Sequence, residues 1–267
     1  MDAGDLIGVA NAAAVAVRRA LDRLDDWGPA GTRPGQYRSD LVADDEAVNL
    51  LLDAGLGVLS EESGLHEAER PLLAVLDPVD GSTNASRGLA RFATSICVLD
   101  AEGPLAAVVV DQAIGVRYEA ARGLGARRDG SLVRPTDCRR VDQAIVGLSG
   151  YPFRHLGWRQ FRALGCAALD LCAVADGTLD AFVDAVPAEA TGGAHGGWDY
   201  LGGLLVCEEA GAVVADALGR DLVVREHAAR RTPVAAATPE LLRTLVDGLR
   251  PPPATDRGDA GTGAAPA

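Results

Sequence analysis

The stretch LLAVLDPVDGSTN, residues 72–84, decides what fold and what chemistry are expected of this chain. An apolar run, typical of a buried strand, ends in two carboxylates, Asp77 and Asp80, which Pro78 and Val79 separate. Because proline restricts the backbone of the turn, both carboxylates and the Val79 carbonyl can converge on one point. Hard divalent cations such as Mg²⁺ bind oxygen ligands of this kind. An ordinary turn is the alternative, since Asp, Pro and Gly all favour turns.

Three small residues, Gly81, Ser82 and Thr83, follow the second aspartate directly and could begin a helix. Backbone N–H groups at the start of a helix, together with two hydroxyl groups, can bind the oxygens of a phosphate. The sequence therefore places potential phosphate ligands beside potential metal ligands.

Two more acidic segments stand at the ends of apolar runs. Glu61 and Glu62 follow the strand-like GVL, and Asp199 follows Trp198 at the start of an apolar helical pattern. Adjacent carboxylates repel each other unless a cation is near, which favours a metal site. Taken singly, the glutamates are better explained as exposed surface residues, and Asp199 as a carboxylate that offsets a helix dipole.

The remaining periodicity predicts a mixed α/β chain. Apolar residues recur at helical spacing over residues 4–26 and 42–54, and each range predicts a helix. From residue 56 onward, short apolar runs between turns predict one antiparallel or mixed sheet. A second sheet is expected to begin at 144–149. It is followed by buried helices at 162–177 and 198–211, a hairpin formed by AVVADA and DLVV, and a last helix at 238–249. The tail, residues 251–267, has no apolar periodicity and is predicted to be disordered.

Composition excludes several classes of protein. The chain has 267 residues, 48% of them hydrophobic, and a net charge of −13, which disfavours nucleic-acid binding. An acidic protein would repel a phosphorylated substrate unless cations intervened. Five cysteines without a C-x-x-C pair and four histidines without H-x-x-x-H spacing argue against a disulfide framework and a zinc site. The chain begins without a signal-peptide pattern, and no apolar stretch reaches membrane length, so a soluble cytoplasmic protein is expected.

The three acidic segments together resemble a known family. The order EESG, DPVDGSTN and WD-x-x-x-G-x-L-x-x-x-EAG is similar to the signature of the inositol monophosphatase-like phosphatases, and the resemblance covers about residues 5–247. It implies an α/β fold, a layered αβαβα sandwich. An α+β part over residues 1–143 would carry the metal and phosphate loops, an α/β part would cover 144–250, and the metal site would lie between them.

The resemblance also implies roles for individual residues. One Mg²⁺ would be held by Glu61, Asp77 and the Val79 carbonyl, and a second by Asp77, Asp80 and Asp199. A third, looser ion would use Glu61 and an early aspartate, for which Asp45 is the choice and Asp44 the fallback; Mn²⁺ could replace Mg²⁺. Glu61 and Ser82 would orient the attacking water. In the loop that follows Asp80, the N–H groups of Gly81 and Ser82 would hold phosphate, Thr83 would support the loop and Asn84 would fix its shape.

The substrate is less defined than the reaction. Ala167 and Asp184 match the family's alcohol-binding positions, although Glu189 could replace Asp184. About eight extra residues make the Gly-rich segment 187–197 either a mobile lid or a harmless surface insertion, and His195 within it is expected to be exposed rather than catalytic. A small phosphate monoester is implied, with inositol 1-phosphate as the default. Fructose 1,6-bisphosphate, adenosine 3′,5′-bisphosphate and histidinol phosphate are the alternatives.

Two non-catalytic interpretations stay open at this point. A catalytically idle relative could act as an interaction subunit, but the expected carboxylates are all present. A structural calcium-binding protein would be expected to carry an EF-hand pattern, which is missing. The resemblance also makes a homodimer the expected assembly.

Overall fold

The computed structural model describes residues 1–185 and 194–250. Two helices come first, α1 (Ala3–Asp22) and α2 (Arg38–Asp53). The side chain of Asp2 caps α1 by accepting a hydrogen bond from the Asp5 N–H. Helix α2 begins four residues earlier than predicted, because the Asp40 carboxylate accepts a hydrogen bond from the Tyr37 N–H and caps the first turn.

An eight-stranded mixed sheet follows the two helices, as predicted. Its order is β2-β1-β3-β4-β5-β6-β7-β8, with β1 and β3 parallel and every other neighbouring pair antiparallel. A short helix, α3 (Ser82–Ser86), connects β3 to β4. The strands are β1 (Gly57–Ser60), β2 (Gly64–His66), β3 (Leu73–Asp80), β4 (Ala93–Asp100), β5 (Gly103–Asp111), β6 (Arg117–Ala121), β7 (Gly125–Arg128) and β8 (Ser131–Leu132).

A second, five-stranded sheet forms the rest of the chain, with the order β10-β9-β11-β13-β12. A short 3₁₀ helix (Val141–Gln143) precedes it. Its strands are β9 (Ile145–Ser149), β10 (Gln160–Arg162), β11 (Ala181–Asp184), β12 (Val213–Asp216) and β13 (Pro233–Ala236). The helices of this half are α4 (Ala167–Ala175), α5 (Gly197–Ala210) and α6 (Pro239–Leu249).

Three apolar clusters stack these elements in five layers. Alternate residues of β3 point to opposite sides: Leu76 packs with α1 and α2, whereas Val75 packs with α4 and α5. Phe182, on β11 of the five-stranded sheet, belongs to the same cluster as Val75. Helix α6 covers the opposite face of the five-stranded sheet. The α/β fold class, a layered αβαβα sandwich, is thereby confirmed.

The subdivision at residue 143 stays a prediction. The change of sheet falls close to it, but α4 and α5 pack against both sheets in one shared cluster. The predicted disordered tail, residues 251–267, lies outside the described residues. Within the described part of the chain, none of the helices combines the length and the apolar character needed to cross a membrane.

One predicted strand was wrong, and one predicted helix starts later than expected. The segment DLVV, residues 221–224, forms no strand, and β12 pairs instead with β13. The reason is a local turn: the Asp216 carboxylate accepts hydrogen bonds from the N–H groups of Leu218 and Thr232, which directs the chain away from an immediate hairpin. The helix expected from residue 162 begins at Ala167, because residues 160–162 form the edge strand β10.

Candidate metal centre

Parallel pairing of β1 and β3 brings the first two predicted metal ligands together. Ser60 lies opposite Leu76 in the register, so Glu61 and Asp77 follow these residues at the same edge of the sheet. The Glu61 N–H donates to the Leu76 carbonyl at 3.1 Å, which fixes the start of the glutamate segment against β3. Two acidic segments that follow different strands thus meet because those strands are neighbours in the sheet.

Helix α5 supplies the third ligand from the opposite layer. Asp199 lies in its first turn, and the Asp199 carboxylate accepts a hydrogen bond from the Gly196 N–H at 2.7 Å. Two glycines let the helix approach closely: a Cβ at Gly202 would lie 2.7 Å from the Ser95 hydroxyl, and one at Gly203 would lie 2.5 Å from the Leu171 Cβ. One oxygen each of Glu61, Asp77 and Asp199 consequently lies within 4.8 Å of the others.

The buried aspartate of this group shows that the residues fit a cation. Asp77 is 1% exposed, and one carboxylate oxygen accepts from the Val79 N–H at 3.0 Å. Its other oxygen is buried without a hydrogen-bond partner. Burial, followed by the charges of Glu61 and Asp80, raises the pKa of Asp77 well above its usual range. Because unpartnered buried carboxylates are costly, a divalent cation would stabilise this arrangement.

Glu61 experiences the same crowding of negative charge. Burial and the charge of Asp199 raise the pKa of Glu61 from 4.5 to about 9. A positive ion between the two carboxylates would reverse this effect, since opposite charge favours the ionised form. The acidic cluster could therefore bind a metal, as predicted from the sequence.

Asp80 and Val79, the two remaining predicted ligands, are not part of the group formed by Glu61, Asp77 and Asp199. The Asp80 Oδ2 atom accepts hydrogen bonds from the Ala168 N–H at 2.7 Å and from the Cys166 thiol at 3.2 Å, so this aspartate anchors the start of α4. Burial and the charge of Asp199 raise the pKa of Asp80 to about 7. Val79 is buried in the same turn. Metal binding by Asp80 and by the Val79 carbonyl stays a prediction.

The loop after Asp80 is held in one shape by its neighbours. Gly81 has φ +85°, and a Cβ there would lie 3.0 Å from two backbone carbonyl oxygens. The Asn84 amide donates to the carbonyls of Arg91 at 2.8 Å and Leu164 at 2.7 Å, in agreement with the geometric role predicted for it. Thr83 lies 3.3 Å from the Tyr37 hydroxyl, and Ser82 faces a cavity.

The aspartate chosen for the third metal does not face this cluster. Asp45 is exposed on α2, and among the described residues it makes no hydrogen bond or ion pair with the acidic group. The fallback, Asp44, is buried and accepts a hydrogen bond from the Ser60 hydroxyl. Consecutive helical residues point about 100° apart, so a one-residue uncertainty in the helix decides which aspartate faces inward.

One acidic residue near the cluster was missed. Asp40 is 2% exposed and shares a helix face with Asp44, four residues later. Burial raises the pKa of Asp40 to about 6, although the Tyr37 N–H opposes this shift. The i, i+4 spacing of the two aspartates was the signal in the sequence that could have identified both.

The predicted alcohol-binding residues flank the second sheet. Ala167 is buried at the start of α4, and Asp184 is buried at the end of β11. Glu189 and most of the Gly-rich segment lie outside the described residues, so the lid prediction for 187–197 is untested.

The expectation of an exposed His195 was wrong. Its side chain is 12% exposed, with Nδ1 3.5 Å from the Asp199 carboxylate and Nε2 3.1 Å from the Ser149 hydroxyl. Burial disfavours its charged form, but Asp199 and Asp184 outweigh burial and raise the pKa of His195 to about 9. Pairing of its backbone with Arg231 draws the end of the insertion into the fold, and no local pattern predicts that contact.

A cavity of about 280 Å³ opens beside the acidic cluster. Two cationic side chains lie on its wall: Arg33 pairs with Glu62, and the Arg230 guanidinium lies 5.0 Å from the centroid of the Trp198 ring. The residues lining the cavity are Arg33, Pro34, Gly35, Asp40, Glu61, Glu62, Ser82, Trp198, His227 and Arg230. The basic residues of this wall were missed because they come from loops without periodicity.

Comparison with known proteins agrees with this geometry. A fructose-1,6-bisphosphatase/inositol-1-monophosphatase from Archaeoglobus fulgidus is 30% identical over 83% of this chain and 88% of its own length. A protein named Nus factor SuhB from Escherichia coli is 33% identical over 61% of this chain and 63% of its own. A solved structure from Pyrococcus horikoshii, described as a hypothetical protein with similarities for inositol-1 monophosphatase, superposes with a TM-score of 0.83. It is 23% identical and covers 94% of this chain and 100% of its own.

A sequence profile described as the inositol monophosphatase family matches residues 54–249, which include Glu61, Asp77, Asp80 and Asp199. The chain belongs to the inositol monophosphatase family.

Proposed function

We propose that this protein is a metal-dependent phosphomonoesterase that hydrolyses a small sugar or polyol phosphate, with inositol 1-phosphate as the default substrate. The observation that carries the proposal is the buried Asp77 oxygen without a hydrogen-bond partner, within 4.8 Å of Glu61 and Asp199 and next to a cavity. The relative from A. fulgidus, whose name includes both activities, supports the same reaction class.

Glu61, Asp77 and Asp199 would hold the cation, and Asp80 and the Val79 carbonyl are proposed as further ligands for a second ion. Mg²⁺ is the expected ion, two or three per chain, with Mn²⁺ as a substitute. Such a cation supplies positive charge that offsets the phosphate and makes nearby water more acidic. Asp44 takes the place of Asp45 as the candidate for a third, looser site.

The residues of the chain itself would position the substrate and water. Glu61 is suited to accept a proton from the attacking water, and the Ser82 hydroxyl to hydrogen-bond the same water. The N–H groups of Gly81 and Ser82 would donate to phosphate oxygens, in a loop that Asn84 holds rigid. Ala167 and Asp184 are the proposed contacts of the alcohol.

Alternative substrates and roles give distinct results in one assay. Phosphate release is measured with inositol 1-phosphate, fructose 1,6-bisphosphate, adenosine 3′,5′-bisphosphate and histidinol phosphate, each in Mg²⁺ and in EDTA, for the native protein and the Asp77→Asn variant. Release that requires both the metal and Asp77 supports the proposal, and the fastest substrate defines the specificity. Metal binding without release from any substrate would favour a non-catalytic interaction subunit. The relative named Nus factor SuhB is the reason to keep this alternative.

The assembly is proposed from the family resemblance alone, and the location from the sequence expectation stated above. We expect a homodimer in the cytoplasm. Size-exclusion chromatography with light scattering distinguishes a dimer from the 27.5 kDa monomer.

A further inference from the structure

His227 lies between the Glu61 segment and the start of α5, which carries Asp199, and no part of the reaction described above uses it. Its Nε2 atom is 3.0 Å from the Glu61 carbonyl oxygen. Its ring packs on Trp198, the neighbour of Asp199, with 4.8 Å between ring centroids. A carbonyl oxygen only accepts hydrogen bonds, so Nε2 must carry a hydrogen and donate.

We propose that His227 is a positioning residue that holds the Glu61 and Asp199 segments at the spacing needed to bind a divalent cation; this inference rests on the proposed function. The Glu61 backbone is fixed at both of its polar groups. Its N–H donates to Leu76, the residue before Asp77, and its carbonyl accepts from His227. With both groups fixed, the glutamate side chain has little freedom to move away from the other carboxylates.

The loop that carries His227 is itself attached to the start of α5. The Tyr200 hydroxyl donates to the Leu222 carbonyl at 2.7 Å, and Val224 packs against Gly197. On the far side, Arg230 donates to the His227 carbonyl at 2.7 Å while its guanidinium covers Trp198. The loop that carries the imidazole is therefore held on both sides of His227, and the ring joins two elements that each supply a ligand.

Crowded negative charge explains why such a tie is needed. One carboxylate oxygen each of Glu61, Asp77 and Asp199 lies within 4.8 Å of the others. When ionised and without a bound cation, these carboxylates repel one another, which would move them apart. Arg33 reaches the same Glu61 carbonyl only at 3.5 Å, and it pairs mainly with Glu62. Partners that orient metal ligands typically change metal affinity by about 10–100-fold when removed.

The test is Mn²⁺ titration of the metal-free protein, in which loss of the free-ion electron paramagnetic resonance signal reports binding. His227→Phe keeps an aromatic ring against Trp198 but removes the donor, and His227→Gln restores an N–H at a similar distance. His155→Phe is the matched control, because His155 also packs on a tryptophan, Trp158, and accepts a backbone hydrogen bond from the Gly157 N–H, in the loop between β9 and β10. Melting temperatures in EDTA are recorded for every variant.

We expect His227→Phe to weaken Mn²⁺ binding about 10–100-fold, His227→Gln to recover most of it, and His155→Phe to match the native affinity. A His227→Phe variant that melts earlier but binds Mn²⁺ as tightly as the native protein would overturn the inference, since the contact would then be structural only. Failure of the native protein to bind Mn²⁺ would instead refute the proposed metal-dependent function, and this inference with it.

Discussion

Replacing Glu61 by glutamine should stabilise the metal-free protein while destroying its response to metal. Burial and the neighbouring charge of Asp199 raise the pKa of Glu61 from 4.5 to about 9. The folded protein therefore binds this proton more tightly than the unfolded chain does, and folding at neutral pH takes up a proton. Stability is lost progressively as the pH rises from about 4.5 towards 9.

The size of the effect follows from the two pKa values. Each pKa unit corresponds to about 1.4 kcal/mol, so the roughly 2.5 units between 4.5 and pH 7 correspond to a penalty of up to about 3 kcal/mol. Glutamine has nearly the same shape and no charge. In a domain of this size, 1 kcal/mol shifts the melting temperature by about 2–4 °C. Several degrees of stabilisation are therefore expected for Glu61→Gln in EDTA.

Bound metal should offset much of this difference. A ligand at 100 times its dissociation constant stabilises the native state by about 2.7 kcal/mol, and only the protein with an intact site gains it. Thermal unfolding is measured at pH 5 and pH 8, in EDTA and in Mg²⁺, with Glu69→Gln as the control because Glu69 is exposed. The gain from Glu61→Gln in EDTA should be larger at pH 8 than at pH 5. A Glu61→Gln variant that melts below the native protein in EDTA at pH 8 would refute the reasoning.

Three other substitutions test the surroundings of the cluster. Gly81→Ala should cost about 1–3 kcal/mol, because alanine at φ +85° is strained and its Cβ meets two carbonyl oxygens; chemical denaturation measures the loss, and an unchanged free energy of unfolding would contradict it. Asp44→Asn should lower phosphatase activity while Asp45→Asn leaves it unchanged, because only Asp44 is buried beside Ser60; steady-state rates of the pair decide, and the reverse order would show that the helix is misassigned. Asn84→Ala should destabilise the protein by about 1–3 kcal/mol, since at least two partly buried carbonyls lose their donor. A melting temperature equal to that of the native protein would show that the amide does not hold the loop.

Local rules place the acidic residues at the ends of apolar runs, whereas the family resemblance implied that they share one metal site. Asp77 and Asp80 follow a continuous apolar run, and such a run marks a strand that is buried on both faces. Asp199 precedes an apolar helix whose two glycines permit close packing. These features belong to short segments, and periodicity captures short segments well.

The errors concern contacts between segments that are distant in sequence. His195 is buried because its backbone pairs with Arg231, and His227 reaches Glu61 across 166 positions of the chain. Neither contact has a local signature. The sequence could not distinguish Asp44 from Asp45, since a helix face turns about 100° with each residue, and the structure places Asp44 rather than Asp45 beside Ser60. The predicted hairpin of AVVADA and DLVV was wrong because the Asp216 carboxylate stabilises a turn before the chain returns to β13.

The most direct measurement of the central claim is the rate of phosphate release in Mg²⁺ by the native protein and by the Asp199→Asn variant, with the fastest substrate of the panel. Asparagine keeps the shape of the side chain but removes the negative charge contributed by α5. If the three carboxylates form the catalytic metal site, the rate should fall at least about 100-fold, which corresponds to roughly 3 kcal/mol of lost transition-state stabilisation. Asp45→Asn should release phosphate at the native rate. An Asp199→Asn variant that retains full turnover would contradict the assignment of this cluster as the catalytic centre.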